Sequence, residues 1–169
     1  MAKVAIIYGS STGNTRDASH KLQQIFGTDT ADIIDVTEAG PETFNQYKAF
    51  VFAVSTWGSG TLQDDWEEFL PYLDEMDLTG VKVAVMGLGD QRNYPDTFGD
   101  AAAILADRVS DRGATLVGHT VPEDYEYTAS RSERENKLVG LLIDEDSQSH
   151  LTDVRLKNWV NMLRRQFDV

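Results

Sequence analysis

The sequence predicts an α/β fold of three layers, a doubly wound five-stranded parallel sheet with helices on both faces. Apolar, β-branched runs recur at 4–8, 33–36, 50–54, 81–86 and, less regularly, at 115–117 with 138–143. These runs are continuous rather than alternating, as in strands buried on both faces. Between them lie apolar stripes with the three-to-four spacing of one-sided helices, and strands that alternate with helices build parallel sheets.

The first run leads through Tyr8 and Gly9 into Ser10-Ser11-Thr12-Gly13-Asn14-Thr15. Gly9 and Gly13 allow backbone conformations that other residues resist. Hydroxyls on Ser10, Ser11, Thr12 and Thr15 stand beside the unpaired N–H groups of a helix start, which favour an anion. The loop holds no lysine, so neutral donors would do the binding. Its spacing fits neither G-x-G-x-x-G nor G-x-x-x-x-G-K-[ST], which favours a mononucleotide monophosphate over a dinucleotide or triphosphate. The alternative is an ordinary capped turn.

A first helix follows on Ala18, Leu22, Ile25 and Phe26, with Gly27 at its expected end. The connection across 37–47 is too short for more than an irregular turn or a single-turn helix. The third strand enters Ser55-Thr56-Trp57-Gly58-Ser59-Gly60, and a stripe of Leu62, Trp66, Phe69, Leu70 and Leu73 predicts the next helix, which Pro71 should kink or restart. The fourth strand enters Gly87-Leu88-Gly89-Asp90-Gln91-Arg92-Asn93-Tyr94. Phe98, Ala102, Leu105 and Val109 mark another helix, closed at Gly113. Residues 119–137 are polar, charged and aperiodic, and read as an excursion that splits the last strand; segments of that kind are usually functional or mobile. Leu156, Trp159, Val160, Leu163 and Phe167 form the final stripe.

A chain of 169 residues, 41% hydrophobic, with no repeat or low-complexity tract, fits one domain spanning 1–169. The apolar run before Gly9 is too short for a signal segment or a membrane span, so a soluble, cytoplasmic protein is expected. There is no cysteine, hence no disulfide, thiolate nucleophile or self-ligated iron–sulfur cluster. Any redox chemistry would belong to a cofactor. The net charge of −13 makes nucleic acid and anionic membranes poor partners. Asp64, Asp65, Glu67, Glu68, Asp74, Glu75 and Asp77 fall between residues 57 and 81 without one Lys or Arg. They form either a solvated helix face or a docking surface for basic proteins.

In doubly wound sheets ligands bind beyond the carboxyl ends of the strands, where the winding reverses. If strands one, three and four are neighbours, their loops bring phosphate donors, Trp57 and Tyr94 to one crevice. Two aromatics on glycine-rich loops suit a flat, partly apolar ring held between them.

These residues resemble the flavodoxins, specifically the long-chain group, along the whole chain. Ser10-Ser11-Thr12-Gly13-Asn14-Thr15 is similar to the family's FMN phosphate loop, Thr56-Trp57-Gly58 to the loop whose aromatic covers one face of the flavin, and Gly89-Asp90-Gln91 through Tyr94 to the loop covering the other. Asp64-Trp66-Glu67 and the stretch Leu141-Leu142-Ile143-Asp144-Glu145-Asp146 are similar to long-chain members as well. The resemblance implies strand order 2-1-3-4-5, non-covalent FMN, no substrate turnover, and low-potential single-electron shuttling between redox enzymes such as a flavodoxin or ferredoxin reductase and an acceptor. It implies a monomer, no metal, and cofactor contacts from Ser10, Ser11, Thr12, Gly13, Asn14, Thr15, Ser55, Thr56, Trp57, Gly58, Gly60, Leu88, Gly89, Asp90 and Tyr94. The carbonyl of Gly58 would accept a hydrogen bond from protonated flavin N5, and Asp90 with its loop would hold the pyrimidine edge. Two positions depart from the pattern: Thr61 stands where relatives often carry an acid, and Arg92 adds a cation to the second flavin loop; both would favour reduced flavin.

Rival readings fit less of the chain. Gly9-Ser10-Ser11-Thr12-Gly13 matches the G-x-S-x-G nucleophile elbow, and Ser11, Asp90 and His119 follow the order of a hydrolase triad. An elbow on the first strand leaves no earlier loop for the second oxyanion donor, and Trp57 and Tyr94 go unexplained. A phosphoacceptor domain needs acids where Ser10 and Ser55 stand. A non-catalytic interaction module would leave the three loops without purpose. His20, His119 and His150 have no metal-ligand spacing and read as surface residues.

Overall fold

The computed structural model describes residues 2–11 and 13–169. Strands β1 (Val4–Tyr8), β2 (Ala31–Asp35), β3 (Ala49–Trp57) and β5 (Lys82–Leu88) are the long members of the sheet, with a short β4 (Thr61–Leu62) folded back on the end of β3. Helices α1 (Asn14–Phe26), α3 (Asp64–Leu73), α4 (Asp100–Asp111) and α5 (Ser149–Phe167) cover it, and a six-residue α2 (Pro41–Gln46) follows β2. The fifth strand position is filled in two pieces, β6 (Thr115–Val117) and β9 (Leu141–Ile143).

The strand order is β2-β1-β3-β5-β6, all parallel, with β9 continuing beside β5 where β6 stops. β6 pairs with Lys82, Val83 and Ala84; β9 pairs with Met86, Gly87 and Leu88. Segment 118–140 lies between them and carries a hairpin of β7 (Glu133–Arg134) and β8 (Lys137–Leu138). This is order 2-1-3-4-5 with its last strand divided.

The continuous apolar runs follow from burial on both sides. Successive residues of a strand point to opposite faces. Ala5, Ile7, Phe50, Phe52, Val83 and Val85 meet Trp66, Phe69 and Leu105 in one core, while Val4, Ile6, Val51, Ala53, Ala84 and Met86 meet Leu22, Leu156, Trp159 and Leu163 in the other. No helix among the described residues is long and apolar enough to cross a membrane.

Several local expectations are corrected. Leu62 belongs to β4, held antiparallel to Thr56, not to the helix. Pro71 sits inside α3, which continues unbroken to Leu73; the buried Phe69 and Leu73 hold its last turn in place across the missing N–H. Phe98 is buried ahead of α4 rather than on it. Leu138 pairs with Glu133 in the hairpin, so only Leu141, Leu142 and Ile143 of the 138–143 run enter the main sheet.

The return to the sheet depends on Gly140. A Cβ there would stand 1.8 Å from the Val85 carbonyl oxygen, inside the backbone of β5 itself. Neither partner can yield without breaking strand pairing. Gly140→Ala is therefore expected to cost on the order of 3 kcal/mol, read from urea unfolding of the apoprotein; a loss under about 1 kcal/mol would contradict it.

Candidate functional site

The first loop is built by close packing of β1 against α3. A Cβ on Gly9 would stand 2.4 Å from Gln63 Oε1 and 2.8 Å from Trp66 Cδ1. Trp66 is itself pinned, its Nε1 donating to the Ala53 carbonyl at 2.8 Å. Gln63, buried, accepts from Trp66 N at the head of α3 and donates from Nε2 to Ser11 Oγ at 3.1 Å. Ser10 Oγ accepts from Gly13 N at 2.9 Å, and Gly13 takes φ +96°. Among the described residues no side chain caps α1, so its leading N–H groups point outward as anion donors. Thr12 lies outside the described residues. Arg16 folds back to within 3.5 Å of the position a Gly13 Cβ would take and approaches Asp17 at 3.7 Å, so a cation does overlie a loop whose own residues are neutral.

The second loop carries Trp57, whose indole Nε1 donates to Ser55 Oγ at 2.8 Å. Gly58 and Gly60 adopt φ +51° and +103°. Thr61 Oγ1 donates to the Trp57 carbonyl at 2.9 Å, and the Thr56 hydroxyl accepts from Ala101 N at 3.0 Å, capping α4. In the third loop Asp90 Oδ1 accepts from the N–H groups of Arg92 and Asn93, both at 3.1 Å, and Oδ2 from Asn93 Nδ2 at 2.6 Å. The Asp90 carboxylate thus shapes its own turn.

These loops meet at the carboxyl ends of β1, β3 and β5 around a cleft of ≈ 330 Å³. Asn14, Thr15, Ser55, Thr56, Trp57, Gly58, Leu88, Gly89, Asp90 and Tyr94 line it, together with Glu145 and Asp146. Ser10, Ser11, Gly13 and Gly60 stand outside the lining: Ser10 and Gly13 form the turn into α1, Ser11 meets Gln63, and Gly60 makes room for Asp100, 2.9 Å from where its Cβ would be. Arg92 is exposed and also outside it. Trp57 and Tyr94 leave 40% and 50% of their surface open, whereas Trp66 and Trp159 are buried. Exposed aromatics on a cleft rim are a surface for a flat apolar partner.

Sequence reasoning places Gln91 in the third loop without foreseeing its buried contacts, and misses Gln63, Asp144, Glu145 and Asp146 as parts of this region. For the last three a signal is available, since they follow β9 and so end at the same sheet edge. Gln63 carries no pattern, and the part Gln91 plays within its loop is visible only through its contacts. The hydrolase constellation does not assemble: Ser11 accepts from Gln63, Asp90 from its own loop, and His119 Nδ1 lies 3.2 Å from the Leu138 carbonyl.

Sheet order, a helix start without a side-chain cap among the described residues, and two open aromatics define a doubly wound α/β protein with a cleft at the switch point between β1 and β3, the place where such folds bind ligands. The flavodoxin family model matches residues 6–159. The flavodoxin of Trichodesmium erythraeum is 40% identical over 171 residues, covering 100% of both chains, and that of a Synechocystis species 39% identical over 165 residues, 97% of each. A Fusobacterium nucleatum flavodoxin solved bound to flavin mononucleotide superposes with TM-score 0.93 at 26% identity, covering 99% of each chain. The chain belongs to the flavodoxin family.

Two carboxylates beside the cleft are pushed in opposite directions. Burial pushes Asp144 up, but hydrogen bonds from Ser147 and from Gln91 outweigh it and hold the carboxyl below its ordinary value. Burial, then the charges of Asp90, Asp144 and Glu145, raise Asp146. Asp144 therefore contributes stability above the unfolded carboxylate value of about 3.9 and loses it as pH falls through its folded value. Asp146 does the reverse. In urea unfolding of the apoprotein, Asp144→Asn should be destabilised at neutral pH with the deficit shrinking as the medium becomes strongly acidic. Asp146→Asn should be more stable than wild type at neutral pH, the gain fading as pH falls; deficits of one sign in both variants would contradict this.

Proposed function

We propose that the cleft holds FMN and that the loops around it divide the work of binding and tuning. As a flavodoxin the chain is an FMN-dependent, low-potential single-electron carrier between redox enzymes, with no substrate turnover of its own. The observation that carries the assignment to this cleft is the open aromatic pair, Trp57 and Tyr94, beside the uncapped start of α1.

The donor set suits the group. N–H groups at the head of α1, with Asn14, Thr15 and the hydroxyls of Ser10, Ser11 and Thr12, would satisfy a phosphate through positioned donors. Bound FMN supplies the redox chemistry, one electron at a time. Trp57, oriented by Ser55, and Tyr94 would exclude water from the ring. Nothing lies within 4 Å of where a Gly58 Cβ would stand, so that peptide has room to turn and present its carbonyl to a proton at flavin N5. Leu88 and Gly89 would floor the ring. Asp90 would act through the turn it shapes, and Thr56 and Gly60 by setting the second loop against α4. Asp90, Glu145 and Asp146 on the cleft wall would oppose added negative charge on a bound flavin and so would favour a low potential for the second electron.

Asp64, Glu67 and Glu68 are exposed on α3, directly after the Trp57 loop, while Asp65 is half-buried beside Gln63. We read this face as the docking surface for redox partners with basic faces, such as a flavodoxin or ferredoxin reductase. The same reading makes 1–169 one FMN-binding domain of the long-chain group, with 119–137 splitting its last strand, monomeric and cytoplasmic.

The purified protein should be yellow and release FMN on denaturation, seen by visible absorption and mass spectrometry. A colourless protein that refuses added FMN would overturn the assignment. Asp64→Lys with Glu68→Lys should slow electron transfer with a basic reductase at least severalfold at low ionic strength and little at high salt; equal rates in both salts would argue against docking there.

A further inference from the structure

Gln91, next to Asp90 in the third loop, is 2% exposed although its neighbours Arg92 and Asn93 are open to solvent. Its backbone N and side-chain Nε2 both donate to Asp144 Oδ2, at 3.1 and 2.9 Å. Its Oε1 accepts from Glu126 N, in the segment between β6 and β9, at 2.5 Å. Asp144 is wholly buried and is itself saturated: Ser147 Oγ donates to Oδ2, and the N–H groups of Asp146 and Ser147 donate to Oδ1 at 3.0 Å. At the far end of the same loop, Thr128 N and Ala129 N donate to the Pro95 carbonyl at 2.8 and 2.9 Å. The stretch from Arg92 to Tyr94 is thus held at both feet, and the inner foot is a single residue, Gln91, bonded through its backbone N–H and its side-chain amide.

We propose that Gln91 and Asp144 are positioning residues that fix the Tyr94 loop in its ring-covering geometry, so that this buried amide–carboxylate pair sets FMN affinity without touching the flavin. The inference rests on the cleft being the FMN site. A carboxylate so deeply desolvated is tolerable only with its full set of donors. Removing the Gln91 amide takes a donor from Asp144 Oδ2 and the acceptor from Glu126 N, and leaves the inner foot of the Tyr94 loop held to Asp144 by the Gln91 backbone N–H alone. Asp144 is the anchor because its other bonds tie it to the turn that starts α5, which cannot follow the loop.

The test compares Gln91→Met and Gln91→Glu with wild type by FMN titration, visible circular dichroism of the bound flavin and thermal melting of the apoprotein. Gln91→Met should bind FMN roughly tenfold or more weakly and alter the flavin dichroism. Unchanged affinity and dichroism in a folded Gln91→Met protein would overturn the proposal, whatever its melting temperature. In Gln91→Glu a carboxylate faces Asp144, with Asp90, Glu145 and Asp146 nearby and Glu126 on the packed segment. At neutral pH it should mimic the methionine variant. As pH falls and the introduced carboxylate takes a proton, it regains a donor to Asp144, and the variant's affinity relative to wild type at the same pH should recover. No recovery would count against the proposal, and this series decides the matter if the methionine variant fails to fold. Wild type that binds no FMN would overturn the reading of the cleft instead, which the variants do not test.

Discussion

Everything polar at the heart of this protein is displaced to one end of the sheet because the central strands have no free side. Val4, Ile6, Val51, Ala53, Ala84 and Met86 fill one core, while Ala5, Ile7, Phe50, Phe52, Val83 and Val85 fill the other. A hydroxyl or carboxylate in the middle of β1, β3 or β5 would be buried without a partner on either face. Chemistry can begin only where the strands run out of cover, at Gly9, Ser55 and Gly89. The cleft is the consequence of that constraint, and the uncapped start of α1 beside it is the matching charge.

Close approach then does what length cannot. Gly9 lets β1 touch Gln63 and Trp66, Gly89 lies against Phe98, and Gly140 lies against the backbone of β5. Each contact fixes a loop relative to a helix or strand that is itself packed, so the loops are positioned by the cores rather than by their own hydrogen bonds alone. The buried carboxylate of Asp144 belongs to the same logic. It sits where β9 ends and α5 is about to start, and its bonds tie that rigid junction to the loop bearing Tyr94.

What is legible in the sequence is what periodicity and loop chemistry express. Strands buried on two faces read as unbroken apolar runs, and Trp159 and Leu163 read as a helix stripe because α5 has one buried side. The loops at Ser10, Trp57 and Tyr94 stand out because glycines, hydroxyls and aromatics rarely gather without a reason. Strand order comes only through family resemblance, since periodicity says nothing about neighbours. Leu62 misleads because it is apolar in a short strand flanking a helical stripe, and Leu138 because its hairpin strand runs on within two residues into the apolar run of β9. Pro71 breaks nothing because a missing N–H near a helix end costs little when the turn is held by Phe69 and Leu73. The roles of Gln63 and Gln91 are not legible for a plainer reason: they lie in partners far away in the chain, Ser11 and Asp144.

The distribution of the three tryptophans has a practical consequence. Trp66 lies in the core beneath α3 and α4, Trp159 in the core beneath α1 and α5, and Trp57 on the rim of the cleft. The chain is thus supplied with an intrinsic optical label in each of its three environments. Replacing two indoles at a time by phenylalanine would leave a single emitter that reports on one layer, so the order in which the two faces of the sheet become dry during folding can be followed without any attached dye.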